Sequence, residues 1–388
     1  MNPIGVLYFI HFIFSMVISF SNLFMNVFFW HLQQDFLTIG VFNLFSVTFI
    51  FISTLTGAWF LRISGSRSTF VLSALLAFFQ FFFLLVFKHF HLDFLPFLGI
   101  LYGSYIGLFF ISFNLYLLWF SNEKNRSFLV GLEYVISGLA QLLTPIASGM
   151  FIMIKGYQVT FFIILILLSA QVIASFFSPN LQVRSKFSKR NLFMPKDEKL
   201  LNIGFVSAAY GFFFSFIQLS FGIFIYLFLQ NEFSLGSWNM FFSFLTIVTY
   251  WVVGKVLNQS NRDWLARMGM ILAVVITLTL LIPSAPLFVL FNLVISVALP
   301  LLWLPVTTLH FKNMIYFSQQ TKEIGMTRLM ETLVFREFAI ALGRIAFFLF
   351  IVIGFDVGMG FSYYLMVVLI IFLPVGMYFL HHQLEENG

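Results

Sequence analysis

Cysteine is absent from the 388 residues of this sequence, and charged residues make up only 9% of them. The absence of cysteine excludes disulfide bonds, thiolate chemistry and cysteine metal sites. The scarcity of charge excludes an ordinary soluble protein, since soluble domains carry roughly 25% charged residues. Hydrophobic residues make up 61% of the chain. Because a lipid-facing surface is as apolar as a protein interior, the composition predicts an integral membrane protein in a lipid bilayer.

The sequence also lacks the motifs of several function classes. There is no phosphate-binding loop of the Walker type, so ATP hydrolysis is not predicted. The histidines form no cluster with the spacing of metal ligands, so we expect no metal and no cofactor. The net charge is +6, and the basic residues lie in short segments between apolar runs. This distribution predicts membrane orientation and no nucleic-acid partner.

Apolar runs long enough to cross a membrane recur along the whole chain. A spanning helix needs roughly 20 apolar residues, whereas the strands of a membrane barrel would alternate over about ten. The predicted fold class is therefore an all-α polytopic membrane protein with about twelve transmembrane helices in two six-helix, pseudo-symmetric bundles. The predicted spans are 4–30, 37–61, 68–88, 95–120, 127–154, 157–178, 202–229, 237–257, 264–283, 286–310, 330–354 and 359–380.

The positions of the basic residues orient these spans, because cytoplasmic loops carry an excess of Lys and Arg. With the N-terminus inside, only Lys88 and Lys155 fall in outer loops and Arg344 falls within a span. Every other basic residue then lies in an inner loop or near the inner end of a span. We therefore predict that both termini are cytoplasmic and that the protein lies in the cell membrane.

A polar, basic segment separates the first six spans from the last six. It covers residues 179–200, between a predicted N-terminal bundle of 1–178 and a C-terminal bundle of 201–388. Its prolines and its low hydrophobicity are typical of a linker. The simplest interpretation is a solvated cytoplasmic linker, and the alternative is a binding segment for anionic lipid.

Short motifs between the spans resemble those of the major facilitator superfamily. The chain reads GAWFLRISGSR after span two, with Gly57, Arg62, Gly65 and Arg67 at the positions of the superfamily's Gly-rich, Arg-containing loop. The Asp that usually precedes the central Arg is missing, so the charge pair that it forms in the family is in question here. The equivalent loop of the second half, GKVLNQSNR at 254–262, is a weaker echo of the same motif.

Span five resembles the Gly and Pro motif of the antiporter branch of that superfamily. The matching residues are Gly138, Pro145 and Gly149. Small residues permit close helix packing, and proline removes a backbone donor and bends a helix. The resemblance implies a monomeric transporter in which two bundles rock about a site at the membrane midplane.

Three ionisable residues within the spans are candidates for substrate binding or coupling. Glu133 lies in span five, and Glu337 and Arg344 lie in span eleven. A charge in a span costs roughly 2.5 to 3.5 kcal/mol, so it usually has a role. Glu133 or Glu337 would carry a proton, and Arg344 would bind an anionic substrate. The alternative is that these residues form structural ion pairs between helices.

Uncharged polar residues in spans one, four, seven and ten are further candidates, because these spans line the cavity in the superfamily. Each of them could instead form an interhelical hydrogen bond. They are Asn22, Asn26, Asn114, Tyr210, Gln218 and Asn292.

We therefore predict a non-enzymatic secondary transporter that moves a small-molecule substrate by alternating access, coupled to protons. An aromatic-rich cavity favours export of an amphipathic compound, whereas Arg344 favours an anionic solute, and the sequence leaves both open. The alternatives are a uniporter and a non-transporting membrane enzyme or assembly protein.

Overall fold

A computed structural model describes residues 3–87, 92–120, 126–182, 197–319, 325–357 and 359–386. None of these residues is in a β-strand, and nearly all are helical. The first helices are α1 (Pro3–Phe20), α2 (Asn26–Gln33), α3 (Phe36–Ile63), α4 (Gly65–Val86), α5 (Leu95–Phe120) and α6 (Arg126–Phe176). They are followed by α7 (Glu198–Leu219), α8 (Ile225–Leu229), α9 (Glu232–Val256), α10 (Arg262–Leu278), α11 (Ala285–Gln319), α12 (Gly325–Val357) and α13 (Met359–Glu386).

The described residues contain 11 apolar helical segments long enough to span a membrane. Ten of them match one predicted span each, and the segment Val135–Phe176 matches two. Its 42 residues would extend about 63 Å as one helix, roughly twice the hydrocarbon thickness. Gly156 breaks the helix there with φ 78° and ψ 175°. The break lies between predicted spans five and six, so this one segment corresponds to two membrane passes. The fold class is therefore confirmed.

Several helices extend beyond the predicted spans. The first span continues to Gln33, and α9 begins at Glu232 rather than at 237. Hydropathy detects the part of a helix in hydrocarbon, whereas backbone hydrogen bonds continue into the polar interface. The predicted linker also overlaps α7, because Asp197 caps that helix by accepting hydrogen bonds from the backbone of Lys199 and Leu200. The rest of the linker, 183–196, lies outside the described residues.

The chain forms two compact units. The first comprises Met1–Arg184 and Leu229–Phe241, and the second comprises Ser185–Phe228 and Phe242–Gly388. Helix α9 therefore begins in the first unit and continues in the second.

Aromatic rings fill the core of the first unit. Phe14 and Phe109 are stacked with centroids 3.6 Å apart, and His11 stacks on Phe113 at 4.3 Å. On another side, α5 packs closely on α3 because Gly103 and Gly107 have no side chain. A Cβ at either position would collide with a backbone carbonyl oxygen of α3.

Glycine contacts of the same kind join α7 and α12 in the second unit. A Cβ at Gly211 would collide with the carbonyl oxygen of Ile340, and a Cβ at Gly343 would collide with that of Ala208. The two helices thus touch backbone to backbone. This reciprocal contact fixes the position of the next residue of α12, Arg344, beside α7.

Candidate functional site

Glu133 lies on the face of α6 that packs against α1, and it is partly buried. Its charge acts on the hydroxyl of Tyr8 in α1. No ion pair to Glu133 is found among the described residues. In the described part of the chain, this carboxyl is therefore not held in a permanent ion pair.

His11 adds a second ionisable group to this α1–α6 face. Its side chain is buried, and its Nε2 atom lies 2.9 Å from the Ser137 hydroxyl. Ser137 is one helical turn after Glu133, and the imidazole also lies beside the Glu133 backbone carbonyl. The Nδ1 atom of His11 has no hydrogen-bond partner among the described residues. Sequence reasoning missed His11, whose only signal was its position within span one.

Glu337, the other carboxyl candidate, has a different environment. Its side chain is 45% exposed, and its Oε1 atom lies 3.6 Å from an Nη atom of Arg336. An exposed pair of neighbouring residues contributes little stability. The structure thus pairs Glu337 with the adjacent arginine, whereas no ion pair to Glu133 is found among the described residues.

Arg344 lies in the second unit with its guanidinium over the ring of Phe214, 5.8 Å from the centroid. Its Nε atom is buried without a hydrogen-bond partner, and no ion pair to it is found in the described part of the chain. Glu337, seven residues earlier, pairs with Arg336 instead. A guanidinium with a cation–π contact and no anion retains its capacity for a bidentate partner.

The polar candidates of the first unit fall into interhelical hydrogen bonds or remain partly accessible. Asn22 accepts a hydrogen bond from the Tyr102 hydroxyl at 3.1 Å. Asn26, which is 4% exposed, accepts one from the Asn43 side chain at 2.8 Å. Asn114 is partly buried in α5. Asn26 is therefore placed as a packing residue.

In the second unit, Asn292 is fully buried and lies 3.1 Å from the Ser220 hydroxyl, also in a packing role.

Tyr210 stacks on Trp303, with centroids 3.5 Å apart and ring planes 7° apart. Tyr210 and Gln218 remain partly accessible, as does Phe214 midway between them. Trp303 is a candidate residue that the sequence did not single out, because aromatic residues occur in every span.

Spans one and seven each contain a π-helical turn. The turns are Ser21–Met25, between α1 and α2, and Ser220–Phe224, between α7 and α8. π-turns inside α-helices occur frequently at functional sites. Asn22 lies within the first turn, and Gln218 comes two residues before the second. Local propensity does not indicate these turns, so they could not be predicted from the sequence.

The Gly-rich loop after span two is attached to the residues that follow α6. Arg67 donates its Nε–H to the Ser178 carbonyl at 2.8 Å, and Ser66 exchanges hydrogen bonds with Leu181. Gly65 has a φ of +80°, and the Asn180 side chain fills the space of its missing Cβ. The first residues of the predicted linker are thus docked rather than solvated. Arg62 has no hydrogen bond or ion pair among the described residues, and Gly57 packs on α5.

A comparable attachment occurs in the second unit, at the loop that echoes the motif. Asp263 of α10 accepts hydrogen bonds from Arg267 at 2.9 Å and from the Tyr378 hydroxyl at 3.2 Å. Its other oxygen lies 3.0 Å from His382 Nδ1. In each unit, therefore, the start of the third predicted span is bonded to the end of the sixth.

The Gly and Pro motif of span five places α6 against the start of α9 in the first unit. Gly138, Pro145 and Gly149 are all buried. A Cβ at Gly149 would collide with the carbonyl oxygen of Glu232. Nearby, the Glu232 side chain lies 2.9 Å from His31 at the end of α2. The motif therefore allows a backbone contact between α6 and α9.

Comparisons with known proteins agree with this architecture. The sequence profile of the Major Facilitator Superfamily matches residues 7–321. The uncharacterized protein YqgE of Bacillus subtilis (strain 168) is 24% identical over 347 residues, which are 86% of this chain and 78% of that protein. A POT family transporter in complex with 5-aminolevulinic acid superposes with a TM-score of 0.74 and 14% identity, over 98% of this chain and 96% of the other. The nucleoside transporter NupG superposes with a TM-score of 0.69 and 10% identity, over 99% of each chain. Likeness at these identities shows a shared fold.

Proposed function

The chain belongs to the Major Facilitator Superfamily and is a multi-pass membrane transporter, and we propose that it is a proton-coupled secondary transporter of a small organic solute. It would expose a midplane site to each side of the membrane in turn. One structurally similar transporter binds 5-aminolevulinic acid and another is a nucleoside transporter, which supports a small solute here.

The observation that carries proton coupling is the position of Glu133 beside His11 and Tyr8 on the α1–α6 face. A carboxylate in a span is costly when charged and much cheaper when protonated. Protonated Glu133 would therefore favour a closed α1–α6 face, and deprotonated Glu133 would favour a face that is open to water. The hydrogen bond between His11 and Ser137 links the imidazole to the helix that carries Glu133.

We propose that His11 exchanges a proton with Glu133. Glu133 and Ser137 are one turn apart on α6, and Tyr8 and His11 are one turn apart on α1, so the two pairs face each other across the helix contact. The free Nδ1 atom of His11 is the second proton site that such an exchange needs. Glu337 is not part of this proposal, because its neighbour Arg336 already compensates its charge.

We further propose that the protein is a monomeric exporter of the cell membrane with cytoplasmic termini, and that it transports its solute unchanged. The resemblance of Gly138, Pro145 and Gly149 to the antiporter motif supports export. The concentration of basic residues in alternate loops supports the orientation.

Proton movement in proteoliposomes that contain a pH-sensitive dye tests this function. A panel of organic anions, lipophilic cations and neutral solutes is added to wild-type protein, to Glu133→Gln and to Glu337→Gln. We expect solute-dependent proton movement in the wild type and in Glu337→Gln, and at least a tenfold loss in Glu133→Gln. Glu337→Gln is the matched control, since it removes the same charge from another span.

Two outcomes favour the alternatives. Solute movement without proton movement in the wild type would indicate a uniporter. Chemical conversion of a solute without its passage into the vesicles would indicate a membrane enzyme. Either result contradicts proton-coupled transport.

A further inference from the structure

An aromatic ladder with an arginine at each end crosses the second unit. Arg336 lies over Trp303 at 5.9 Å, and Trp303 stacks on Tyr210 at 3.5 Å. Tyr210 stacks on Phe214 at 5.4 Å, and Phe214 lies under Arg344 at 5.8 Å. Three helices contribute, since Tyr210 and Phe214 are on α7, Trp303 is on α11 and both arginines are on α12. We call these five residues the ladder.

The two ends of the ladder differ in charge compensation. Arg336 has a carboxylate neighbour, Glu337, at 3.6 Å. Arg344 has a contact with the Phe214 ring and no ion pair among the described residues. The Nε atoms of both arginines are buried without a hydrogen-bond partner, so the ends differ in the carboxylate alone. An uncompensated guanidinium in a membrane span is costly. Only the Arg344 end of the ladder therefore lacks an anion.

The Arg344 end is accessible, and it points away from the lipid-facing side of its helices. Phe205 is 65% exposed, and nine residues at about 100° each place Phe214 on the opposite side of α7. Leu342 is 48% exposed, and two residues place Arg344 about 200° away on α12. Phe214 and Arg344 are nevertheless only partly buried. They thus line a surface that is distinct from the apolar outer face.

The backbone holds this end of the ladder in place. Gly211 and Gly343 bring α7 and α12 into backbone contact, one residue from Arg344 and three from Phe214. A binding site on rigid, closely packed helices holds its groups in a fixed geometry. The Trp303 contact supports Tyr210 from the other side.

We propose that Tyr210, Phe214 and Arg344 bind a planar aromatic carboxylate as the transported solute, an inference that rests on the proposed transport function. The carboxylate accepts two hydrogen bonds from the Arg344 guanidinium, whose planar fork matches two carboxylate oxygens. The ring of the solute packs against the accessible edges of Phe214 and Tyr210, whose faces are stacked within the ladder. Gln218, one turn beyond Phe214 on α7, offers an amide to polar groups on the ring.

Equilibrium binding to the purified full chain in detergent tests this site without requiring transport. The probes are 2-naphthoate, its neutral isostere 2-naphthamide and the saturated decalin-2-carboxylate. We expect the wild type to bind naphthoate at least tenfold more tightly than either of the other two. Equal affinity for naphthoate and naphthamide, or no naphthoate binding, would overturn the proposal.

Three variants test whether the binding lies at the Arg344 end of the ladder. Arg344→Gln should bind naphthoate no better than naphthamide, and Phe214→Leu should bind it no better than the saturated acid. Arg336→Gln is the matched control, because it removes an arginine from the compensated end, and it should change naphthoate affinity less than threefold. Undiminished binding by folded Arg344→Gln contradicts the site. If that variant does not fold, Phe214→Leu and the comparison of probes decide the question.

Failure of this inference differs from failure of the proposed function. Naphthoate binding without any proton movement in vesicles would retain the site and contradict proton coupling. Proton-coupled transport of solutes without an acid group, together with no naphthoate binding, would retain the function and contradict the site.

Discussion

Arg67, at the start of α4, donates its Nε–H to the backbone carbonyl of Ser178, 2.8 Å away and 111 positions later in the chain. Ser66 donates to and accepts from Leu181 beside it. The Tyr116 hydroxyl donates to the carbonyl of Pro179. The loop after span two is thereby attached to the end of span six. Arg67 thereby helps to hold the first unit together, although the Asp that usually occurs in this loop is missing.

Arg67→Gln should destabilise the first unit by about 1 kcal/mol, because it removes a charge-assisted hydrogen bond that is partly exposed. The midpoint of thermal unfolding in detergent, Tm, should fall by a few degrees. Arg62→Gln is the control in the same loop, since Arg62 has no hydrogen bond or ion pair in the described part of the chain. Equal Tm values for the two variants would contradict the role of Arg67.

Gly343→Ala should destabilise the protein by about 3 kcal/mol or prevent its folding. The added methyl group would meet the backbone of α7 at Ala208, which cannot move as a side chain can. Gly376→Ala is the control in another membrane helix, because no atom lies within 4 Å of its new Cβ. Its Tm should be unchanged or higher, as alanine favours a helix over glycine. A folded Gly343→Ala with wild-type Tm would show that α7 and α12 are farther apart than the contact between Gly343 and the Ala208 carbonyl requires.

His11→Phe should leave the protein folded and reduce proton-coupled transport about tenfold. Phenylalanine retains the stack on Phe113 but loses the hydrogen bond to Ser137 and both proton sites. His310→Phe is the control, a fully buried histidine of the second unit whose ring nitrogens have no hydrogen-bond partner among the described residues. Wild-type transport by His11→Phe would exclude His11 from proton transfer.

A cross-link between the positions of His31 and Glu232 should stop transport. Their side chains are 2.9 Å apart. The link would tie α2 of the first unit to α9, which continues into the second unit, so it would restrain movement of one unit against the other. Because the chain has no cysteine, a short bis-methanethiosulfonate reagent, which joins two thiols through reducible disulfides, reacts with His31→Cys and Glu232→Cys without background. We expect a reversible intramolecular link and recovery of transport on reduction.

The control for this cross-link is His31→Cys with Trp59→Cys. Trp59 lies 23 residues after the start of α3, about 35 Å along the helix, so no link should form. Continued transport by the fully linked His31 and Glu232 pair would show that the start of α9 does not move.

The number and type of membrane spans were predictable because hydropathy depends on composition over about 20 residues. The break at Gly156 was predictable as a short gap between two spans, although the helix carries on regularly on both sides of it. The π-turns at Ser21–Met25 and Ser220–Phe224 were not, since they have the same apolar composition as the helices around them.

The candidate site was less predictable than the fold. Glu133 and Arg344 stood out because charge is rare in a span. Their partners did not, because His11 and Phe214 lie far from them in sequence and only packing brings them together. Asn26 and Asn292 matched the polar pattern of a cavity, but each is buried in a hydrogen bond between helices.

Solute movement by the Glu133→Gln variant is the most direct test of proton coupling at Glu133. In proteoliposomes, exchange of labelled for unlabelled solute needs no net proton transfer, whereas uphill accumulation driven by a pH gradient does. We predict that Glu133→Gln retains exchange within about threefold of the wild type and loses accumulation. Accumulation at the wild-type level in this variant would contradict the assignment of the proton to Glu133.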